Sequence, residues 1–246
     1  MHFEVIDHSE YVDEGPEQLR GNLLEENDQY TIRAKVVLIG DSGVGKSTIF
    51  SRFTQRYSLQ SPCQIGQHFS PTTTPQFASK QLSLPRLGGH QVVFNMWDTP
   101  GLPAYQMLSR IYLADATLVM QVFDLSNRDT FTQLKTLQLQ PNCMHVLVGN
   151  KSDLHREVSP EEAEQKAREI GAQVYVECTC KREESIYGLF TRVGSEIPDE
   201  RERQKIRAGI VKVPQFQRQR GLLIGYRRGS APPPQMKLRE WFNGES

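Results

Sequence analysis

The chain has 246 residues, of which 29 are Lys or Arg and 29 are Asp or Glu, so its formal net charge is zero. The charge is unevenly spread: residues 1–29 hold nine acids and one base, whereas residues 199–246 hold five acids and 11 bases. This asymmetry predicts a nearly neutral body, residues 31–198, between an acidic arm, residues 1–30, and a basic arm, residues 199–246. Neither arm shows sustained hydrophobic periodicity, so we expect both to be mostly unstructured.

The composition excludes several classes of protein. No apolar run approaches the roughly 18 residues that a membrane span requires, and Met1–Asp28 lacks the apolar region of a secretory signal. Cys63, Cys143, Cys178 and Cys180 lack paired metal-ligand spacing, so we interpret them as reduced thiols of a cytosolic protein. Cys178 and Cys180 alternate through a predicted strand end, and we expect their side chains to point apart. Because no cysteine lies near residue 246, we expect no prenyl anchor.

The body alternates between predicted strands and helices. In chain order, the strands are Lys35–Gly40, Lys80–Leu84, Val92–Asp98, Thr117–Leu125, His145–Asn150 and Val174–Cys178. The helices are Lys46–Arg56, Arg128–Leu139, the segment from Ser159 to Gly171, and Glu183–Glu196. Nearly continuous apolar strands are typical of a sheet that is buried on both faces. The order predicts an α/β fold: one domain with a mostly parallel six-stranded sheet, one antiparallel edge strand, and helices on both faces.

The first chemical motif lies between the first predicted strand and the first predicted helix. Residues 40–47 read G-D-S-G-V-G-K-S, which matches the phosphate loop G-x-x-x-x-G-K-[ST] in its confirming context. Glycines let successive N–H groups face phosphate oxygens, and the helix N-terminus favours the anion. Lys46 is expected to reach the β- and γ-phosphates, and the Ser47 hydroxyl to ligate Mg²⁺. The predicted phosphate-binding residues are Asp41, Ser42, Gly43, Val44, Gly45, Lys46, Ser47 and Thr48.

A second motif, W-D-T-P-G at residues 97–101, also follows a predicted strand. An Asp at a strand end near the phosphate site can hold Mg²⁺ through its water shell, which makes Asp98 a predicted metal-site residue. The N–H of Gly101 can meet the γ-phosphate.

The third motif, N-K-S-D at residues 150–153, follows the predicted strand His145–Asn150. The carboxylate of Asp153 can accept hydrogen bonds from N1–H and the exocyclic amine of guanine. Adenine lacks this pair of donors, so a carboxylate here would select guanine. Asn150 is expected to brace the loop, and the stem of Lys151 to lie along the base.

Together, the three motifs resemble those of small GTPases of the Ras superfamily, and most closely of its Rab branch, over roughly Thr31 to Ile197. The resemblance implies a switch that binds GTP or GDP with Mg²⁺ and presents its switch regions to effector proteins in vesicle trafficking or signalling. It also implies an exchange factor and a GTPase-activating protein as partners. Residues 177–181, E-C-T-C-K, are similar to a family segment that contacts guanine, which implies contacts from Thr179, Cys180 and Lys181.

An aromatic triad carries the resemblance to the Rab branch. Phe77, Trp97 and Tyr112 fall at the positions where Rab proteins display aromatic side chains to effectors. The alternative is that these three side chains only pack the sheet and a neighbouring helix.

Two departures from the family pattern concern the switches. The residue after D-T-x-G is usually a Gln that orients the attacking water, but here it is Leu102, which cannot form that hydrogen bond. We therefore name no catalytic residue, and the resemblance implies weak or activator-dependent hydrolysis. The first switch is about seven residues longer than usual, and counting in the Rab register selects Thr72 as the Mg²⁺-sensing residue over Thr73 and Thr74.

Several interpretations of the whole chain remain open. The chain is either a hydrolysing switch or a hydrolysis-deficient scaffold that stays bound to GTP, and an ATP-using P-loop enzyme is disfavoured by the third motif. The basic arm is a weak peripheral membrane contact, a docking segment for a protein, or a solvated tail, and we expect no nucleic-acid partner. We expect a cytoplasmic protein that is peripheral at membranes if the arm binds them.

Overall fold

The computed structural model describes residues 31–55, 72–84, 90–101 and 111–210, without the side chains of His90 and Glu200. The elements within these ranges alternate between strands and helices. The strands are β1 (Thr31–Ile39), β2 (Gln76–Leu84), β3 (His90–Asp98), β4 (Leu118–Asp124), β5 (Met144–Asn150) and β6 (Val174–Glu177). The helices of at least five residues are α1 (Lys46–Thr54), α2 (Arg128–Thr132), α3 (Pro160–Ile170), α4 (Glu183–Gly194) and α5 (Glu200–Arg207).

The described strands form one sheet in the order β2-β3-β1-β4-β5-β6. Strand β2 runs antiparallel to β3, from Gln76 opposite Asp98 to Leu84 opposite His90, and the remaining pairs are parallel. This arrangement confirms the predicted α/β fold and its antiparallel edge strand. Residues 85–89, which connect β2 to β3, lie outside the described residues.

Helices cover both faces of the sheet because its central strands are apolar on both sides. On one face α1 and α4 pack together: the rings of Phe53 and Phe190 stack with centroids 3.6 Å apart, and Phe94 of β3 meets both edge-on. On the other face, α3 buries Ala163 and Ala167 against Phe123 and its neighbours. All seven residues of β4 and all seven of β5 are buried, as expected of the central strands of a parallel sheet.

The predicted helix Arg128–Leu139 is shorter than expected, since α2 ends at Thr132. From there the chain runs without regular structure towards β5. Leu137 and Leu139 pack against apolar residues of β1 and β4, and Gln121 Nε2 donates to the carbonyl of Lys135 at 3.4 Å. These contacts hold the segment against the sheet in a non-helical path, so tertiary packing overrides local propensity.

The first residues of the predicted basic arm form a helix that the sequence did not predict. Helix α5 begins at the N-cap Asp199, whose carboxylate accepts from the N–H of Glu202 at 2.7 Å. Ile206 and Arg203 are buried against the body. Just two of the described side chains of α5 are buried, so the periodic signal of this helix in the sequence is weak. Within the described ranges, no helix has the length and apolar character needed to cross a membrane.

A buried histidine makes stability sensitive to acid. His145 of β5 is 2% exposed, its Nε2 lies 3.0 Å from Gln121 Oε1, and burial lowers its pKa to about 4. In the unfolded chain the imidazole of His145 takes up a proton near pH 6.5, whereas in the folded chain it does so only near pH 4. The free energy of unfolding therefore falls as the pH drops from 6.5 to 4. Over this window we expect His145 to cost about 3 kcal/mol of unfolding free energy.

The measurement is urea denaturation at pH 7 and pH 4.5 of wild type, His145→Gln and the exposed-site control His155→Gln. His145→Gln should lose markedly less stability between the two pH values than wild type, and the control should follow wild type. Equal losses in all three proteins would contradict this assignment.

Candidate nucleotide site

The phosphate loop joins the carboxyl end of β1 to the start of α1, where three glycines adopt left-handed or similar conformations. The φ angles of Gly40, Gly43 and Gly45 are +140°, +78° and +100°, a range that L side chains rarely adopt. Gly45 is the N-cap of α1. Lys46, Ser47 and Thr48 form the first turn of α1, and Asp41 to Val44 complete the loop. The loop and the amino end of this helix therefore meet at one point, as phosphate binding requires.

Lys46 is held in place by its own loop. Its Nζ donates to the carbonyl of Gly40 at 2.9 Å and to that of Asp41 at 2.7 Å. Burial lowers the pKa of Lys46, while the carboxylates of Asp98 and Asp41 act in the opposite direction. An ammonium has three donors, so one remains for a phosphate oxygen. The contacts orient the side chain before any ligand arrives.

Three oxygen-bearing side chains lie together beside Lys46. The hydroxyls of Ser47 and Thr72 are 2.7 Å apart, although 25 residues separate them in sequence. Both carboxylate oxygens of Asp98 are buried and have no hydrogen-bond partner among the described residues. Burial raises the pKa of Asp98, and the nearby Ser47 hydroxyl and Lys46 ammonium partly oppose this. The geometry brings Thr72, rather than Thr73 or Thr74, into hydrogen-bond contact with Ser47.

These groups fit a bound Mg²⁺. The ion prefers hard oxygen ligands and usually retains water molecules. A buried carboxylate without a partner is costly in the absence of a cation, and the unpartnered oxygens of Asp98 supply the negative charge that a cation would neutralise.

Gly101 lies against the phosphate loop. An added Cβ at this position would lie 2.6 Å from the backbone N of Ser42 and 2.6 Å from Lys46 Nζ, so no larger residue fits without displacement. The hydroxyl of Thr99, two residues earlier, donates to the carbonyl of Leu38 at 2.7 Å. This bond ties the second motif to β1.

Asn150 links the phosphate loop to the predicted base-binding loop. Its Nδ2 donates to the carbonyl of Val44 at 2.8 Å. Its Oδ1 lies 3.5 Å from Cys178 Sγ and 3.6 Å from Cys180 Sγ. The two thiols therefore share one acceptor, and the expectation that they point apart was wrong: in an extended chain, residues two apart face the same side. Asn150 thus contacts both loops, through partners that the sequence analysis had not named.

Asp153 and Lys181 face each other at the mouth of this loop. Asp153 Oδ2 lies 2.7 Å from Lys181 Nζ, and Oδ1 accepts from the hydroxyl of Thr179 at 2.5 Å. Burial tends to raise the pKa of Asp153, but the hydrogen bonds from Lys181 and Thr179 outweigh it and lower the pKa. The carboxylate is thus stabilised in the ionised form that guanine recognition needs.

Two supporting residues were missed by the sequence analysis. Asp124, at the end of β4, pairs with Lys151 through a 2.6 Å contact between Oδ2 and Nζ, and Lys151 itself has a φ of +62°. Ser185 accepts from the N–H of Thr179 at 3.0 Å. The available signal for Asp124 was a single charged residue within a mostly apolar run, residues 117–125. No sequence signal pointed to Ser185.

The three aromatic residues form a row across the edge of the sheet. Phe77 of β2 lies opposite Trp97 of β3 with ring centroids 4.8 Å apart, and Trp97 lies 5.4 Å from Tyr112. Phe77 is 54% exposed, whereas Tyr112 also packs against an apolar cluster that contains Val37. The Phe77 end of the row is therefore exposed to solvent, whereas the Tyr112 end is packed against the body. Leu102, the departure in the second switch, lies outside the described residues.

A phosphate loop at the carboxyl edge of a parallel sheet, together with a carboxylate suited to guanine, defines the class of P-loop guanine-nucleotide-binding proteins. Comparison with known proteins agrees: the family model described as the Ras family matches residues 35–199. A similar protein, "Ras-related protein RIC2" from Oryza sativa subsp. japonica, is 35% identical over 178 residues, covering 69% of this chain and 77% of the relative. The chain belongs to the Ras family of small GTPases, whose members bind guanine nucleotides.

Proposed function

We propose that this protein is a Rab-like switch that binds GTP and GDP with Mg²⁺. The observation that carries the proposal is the contact between the hydroxyls of Ser47 and Thr72, 2.7 Å apart beside the unpartnered carboxylate of Asp98. Ser47 and Thr72 would hold the ion directly and Asp98 through water. When bound, Mg²⁺ would offset the charge of the β- and γ-phosphates. Because Thr72 adjoins β2, its engagement would couple the nucleotide to the edge of the sheet.

The other residues of the site have distinct proposed roles. The backbone of residues 41–48 binds the phosphates, and the free donor of Lys46 meets the β- and γ-phosphates. The N–H of Gly101 contacts the γ-phosphate and thereby senses whether GTP or GDP is bound. Asp153 selects guanine, while Thr179, Cys180 and Lys181 support the base-binding loop, and the stem of Lys151 lies along the base.

The surroundings of the site suggest which surface effector proteins bind. We assign the row of Phe77, Trp97 and Tyr112 as the surface presented to effectors, because the three rings are contiguous and Phe77 is 54% exposed, and contiguous exposed apolar surface is typical of interaction sites. Effectors, an exchange factor and a GTPase-activating protein are the proposed partners, with a role in vesicle trafficking or signalling. Residues 31–198 form the nucleotide-binding body in this proposal. The basic arm makes weak contact with anionic membranes, and the protein is otherwise cytoplasmic.

Hydrolysis should be slow without an activator because Leu102 cannot orient water. We expect Leu102→Gln to raise the single-turnover rate of GTP cleavage by about 10- to 100-fold, within the range that positioning of a reactant contributes. The measurement follows phosphate release from preloaded GTP. Leu102→Met, which is similar in size and cannot position water, is the matched control and should remain slow. A fast wild type that neither substitution changes would contradict the prediction.

The nucleotide that copurifies with the protein tests the proposed function as a whole. Freshly purified protein should contain guanine nucleotide in near-stoichiometric amount, released by EDTA. Mostly GDP would show that turnover occurs. Mostly GTP would instead favour the second candidate, a hydrolysis-deficient scaffold, which Leu102 specifically motivates. Protein without nucleotide and without affinity for GTP would refute both.

A further inference from the structure

Lys151 is held at both ends of its side chain. Its backbone has a φ of +62°, in the left-handed region that residues other than glycine seldom adopt without support from their surroundings. Hydrogen bonds supply this support: the carbonyl of Asn150 accepts from the N–H of Leu125 at 3.0 Å, and the carbonyl of Lys151 accepts from the N–H of Leu154 at 3.0 Å. At the other end, the ammonium lies 2.6 Å from Asp124 Oδ2. The course of the methylene stem is therefore fixed by two anchors.

The carboxylate of Asp124 is itself fixed in direction. Asp124 is the last residue of β4 and is buried. Its Oδ1 accepts from the N–H of Ser126 at 2.9 Å and from the hydroxyl of Ser126 at 2.7 Å. Its backbone N–H donates to the hydroxyl oxygen of Thr130 at 3.0 Å. Oδ1 is thus engaged in the turn that follows β4, and Oδ2 faces the ammonium of Lys151.

Burial makes this ion pair different from an ordinary surface pair. The side chain of Asp124 is 8% exposed and that of Lys151 is 33% exposed. A buried carboxylate requires a compensating cation or hydrogen-bond donors, so the ammonium is strongly retained. A lysine on an open surface samples many rotamers, and a ligand that contacts it must restrict them on binding. In this protein the restriction is in place before a nucleotide arrives.

We propose that Asp124 is a positioning residue for guanine-nucleotide binding and that it acts through Lys151. It presents the stem of Lys151 as a preformed apolar surface for the purine, without itself contacting the nucleotide. This role rests on the proposed function, because it requires the stem of Lys151 to lie along the base. An apolar stem accepts the face of any purine. Asp124 therefore sets how tightly the nucleotide is held, whereas Asp153 sets which base is chosen.

The rate of nucleotide release measures this role. The full chain is loaded with fluorescent N-methylanthraniloyl GDP, and release is followed after addition of excess unlabelled GDP. Asp124→Asn keeps the size of the side chain and an acceptor for Ser126, but it removes the charge that holds Lys151. We expect about tenfold faster release than from wild type, because the stem must then be ordered on binding. Asp129→Asn, which removes an exposed carboxylate from α2, is the matched control and should release GDP at the wild-type rate.

A double-mutant cycle separates positioning from a general structural role. Lys151→Met keeps an unbranched stem but removes the ammonium that Asp124 holds. When it is combined with Lys151→Met, Asp124→Asn should not speed release by more than a further twofold. If Asp124 supported the fold alone, its substitution would speed release about tenfold with or without Lys151→Met, and that result would overturn the proposal.

Ser126→Ala is a milder second variant, because it removes one donor to Oδ1 of Asp124 and leaves the ion pair in place. It should release GDP about two- to fourfold faster than wild type, and this acceleration should also disappear in combination with Lys151→Met. The preference for GTP over XTP should be the same in wild type, Asp124→Asn and Ser126→Ala. A changed preference would overturn the division of roles between Asp124 and Asp153.

Failure of this role can be told apart from failure of the proposed function. Release at the wild-type rate from both Asp124→Asn and Ser126→Ala would overturn the role of Asp124 while the protein remained a guanine-nucleotide-binding switch. A wild type without affinity for GDP would refute the proposed function, and the role of Asp124 with it.

Discussion

Exchange of Asp153 for Asn is expected to transfer the base preference of the protein from guanine to xanthine. In the proposed site the carboxylate would accept from two donors of guanine, and each hydrogen bond to a charged group is worth about 1.5–3 kcal/mol. GTP affinity should therefore fall by about 10²- to 10⁴-fold. Xanthine carries a carbonyl in place of the exocyclic amine, so an Asn side chain, with one acceptor and one donor, complements it.

Competition binding against labelled GTP, with XTP and ATP as competitors, measures this change. Asp129→Asn removes a carboxylate from the first turn of α2, away from the site, and should leave GTP affinity unchanged. In Asp153→Asn, the amide oxygen can still accept from the Thr179 hydroxyl, so the fold of the loop should survive. If the Asp153→Asn variant still bound GTP more tightly than XTP, Asp153 would not determine which base the protein binds.

Gly40→Ala should destabilise the fold far more than the same change at Gly43. An added Cβ at Gly40 would lie 2.1 Å from the backbone carbonyl oxygen of Val122, and the φ of +140° is strained for any L side chain. At Gly43 an added Cβ meets nothing within 4 Å, although φ is +78°. We expect costs of about 3–5 kcal/mol at Gly40 and about 1–2 kcal/mol at Gly43.

Urea denaturation without nucleotide measures the two costs, since bound ligand would add its own stabilisation. Nucleotide affinity separates the two roles further: Gly43→Ala should alter phosphate binding more than stability. Similar destabilisation by both substitutions would contradict the close approach of β1 and β4 at Gly40.

The features that could be predicted from the sequence are those encoded locally. The phosphate loop is a contiguous motif between two short periodic segments, and the capping box of Ser159 and Glu162, at the start of the predicted helix from Ser159 to Gly171, is equally local. The buried strands β4 and β5 follow from uninterrupted apolar runs. In each case, neighbouring residues contain the whole signal, so a single sequence suffices.

The features that were missed depend on contacts between distant parts of the chain. The end of α2 at Thr132 depends on the packing of Leu137 and Leu139 on the sheet. The shared contact of two thiols with Asn150 depends on how β5 and the segment after β6 approach each other. Thr72, by contrast, was predicted, but only by counting in a family register, because the local composition of a long loop does not determine its geometry.

The carboxamide of Asn150 has a consequence for how the site opens. One side chain connects the carbonyl of Val44 with the thiols of Cys178 and Cys180, and so joins three segments that are far apart in sequence. Displacement of the phosphate loop would leave Asn150 Nδ2 without its acceptor, and displacement of the segment after β6 would leave Oδ1 without its two thiols. Displacement of Asn150 itself would remove both sets of contacts at once. We therefore expect local unfolding of β5 at Asn150 to loosen the phosphate loop and the segment after β6 together.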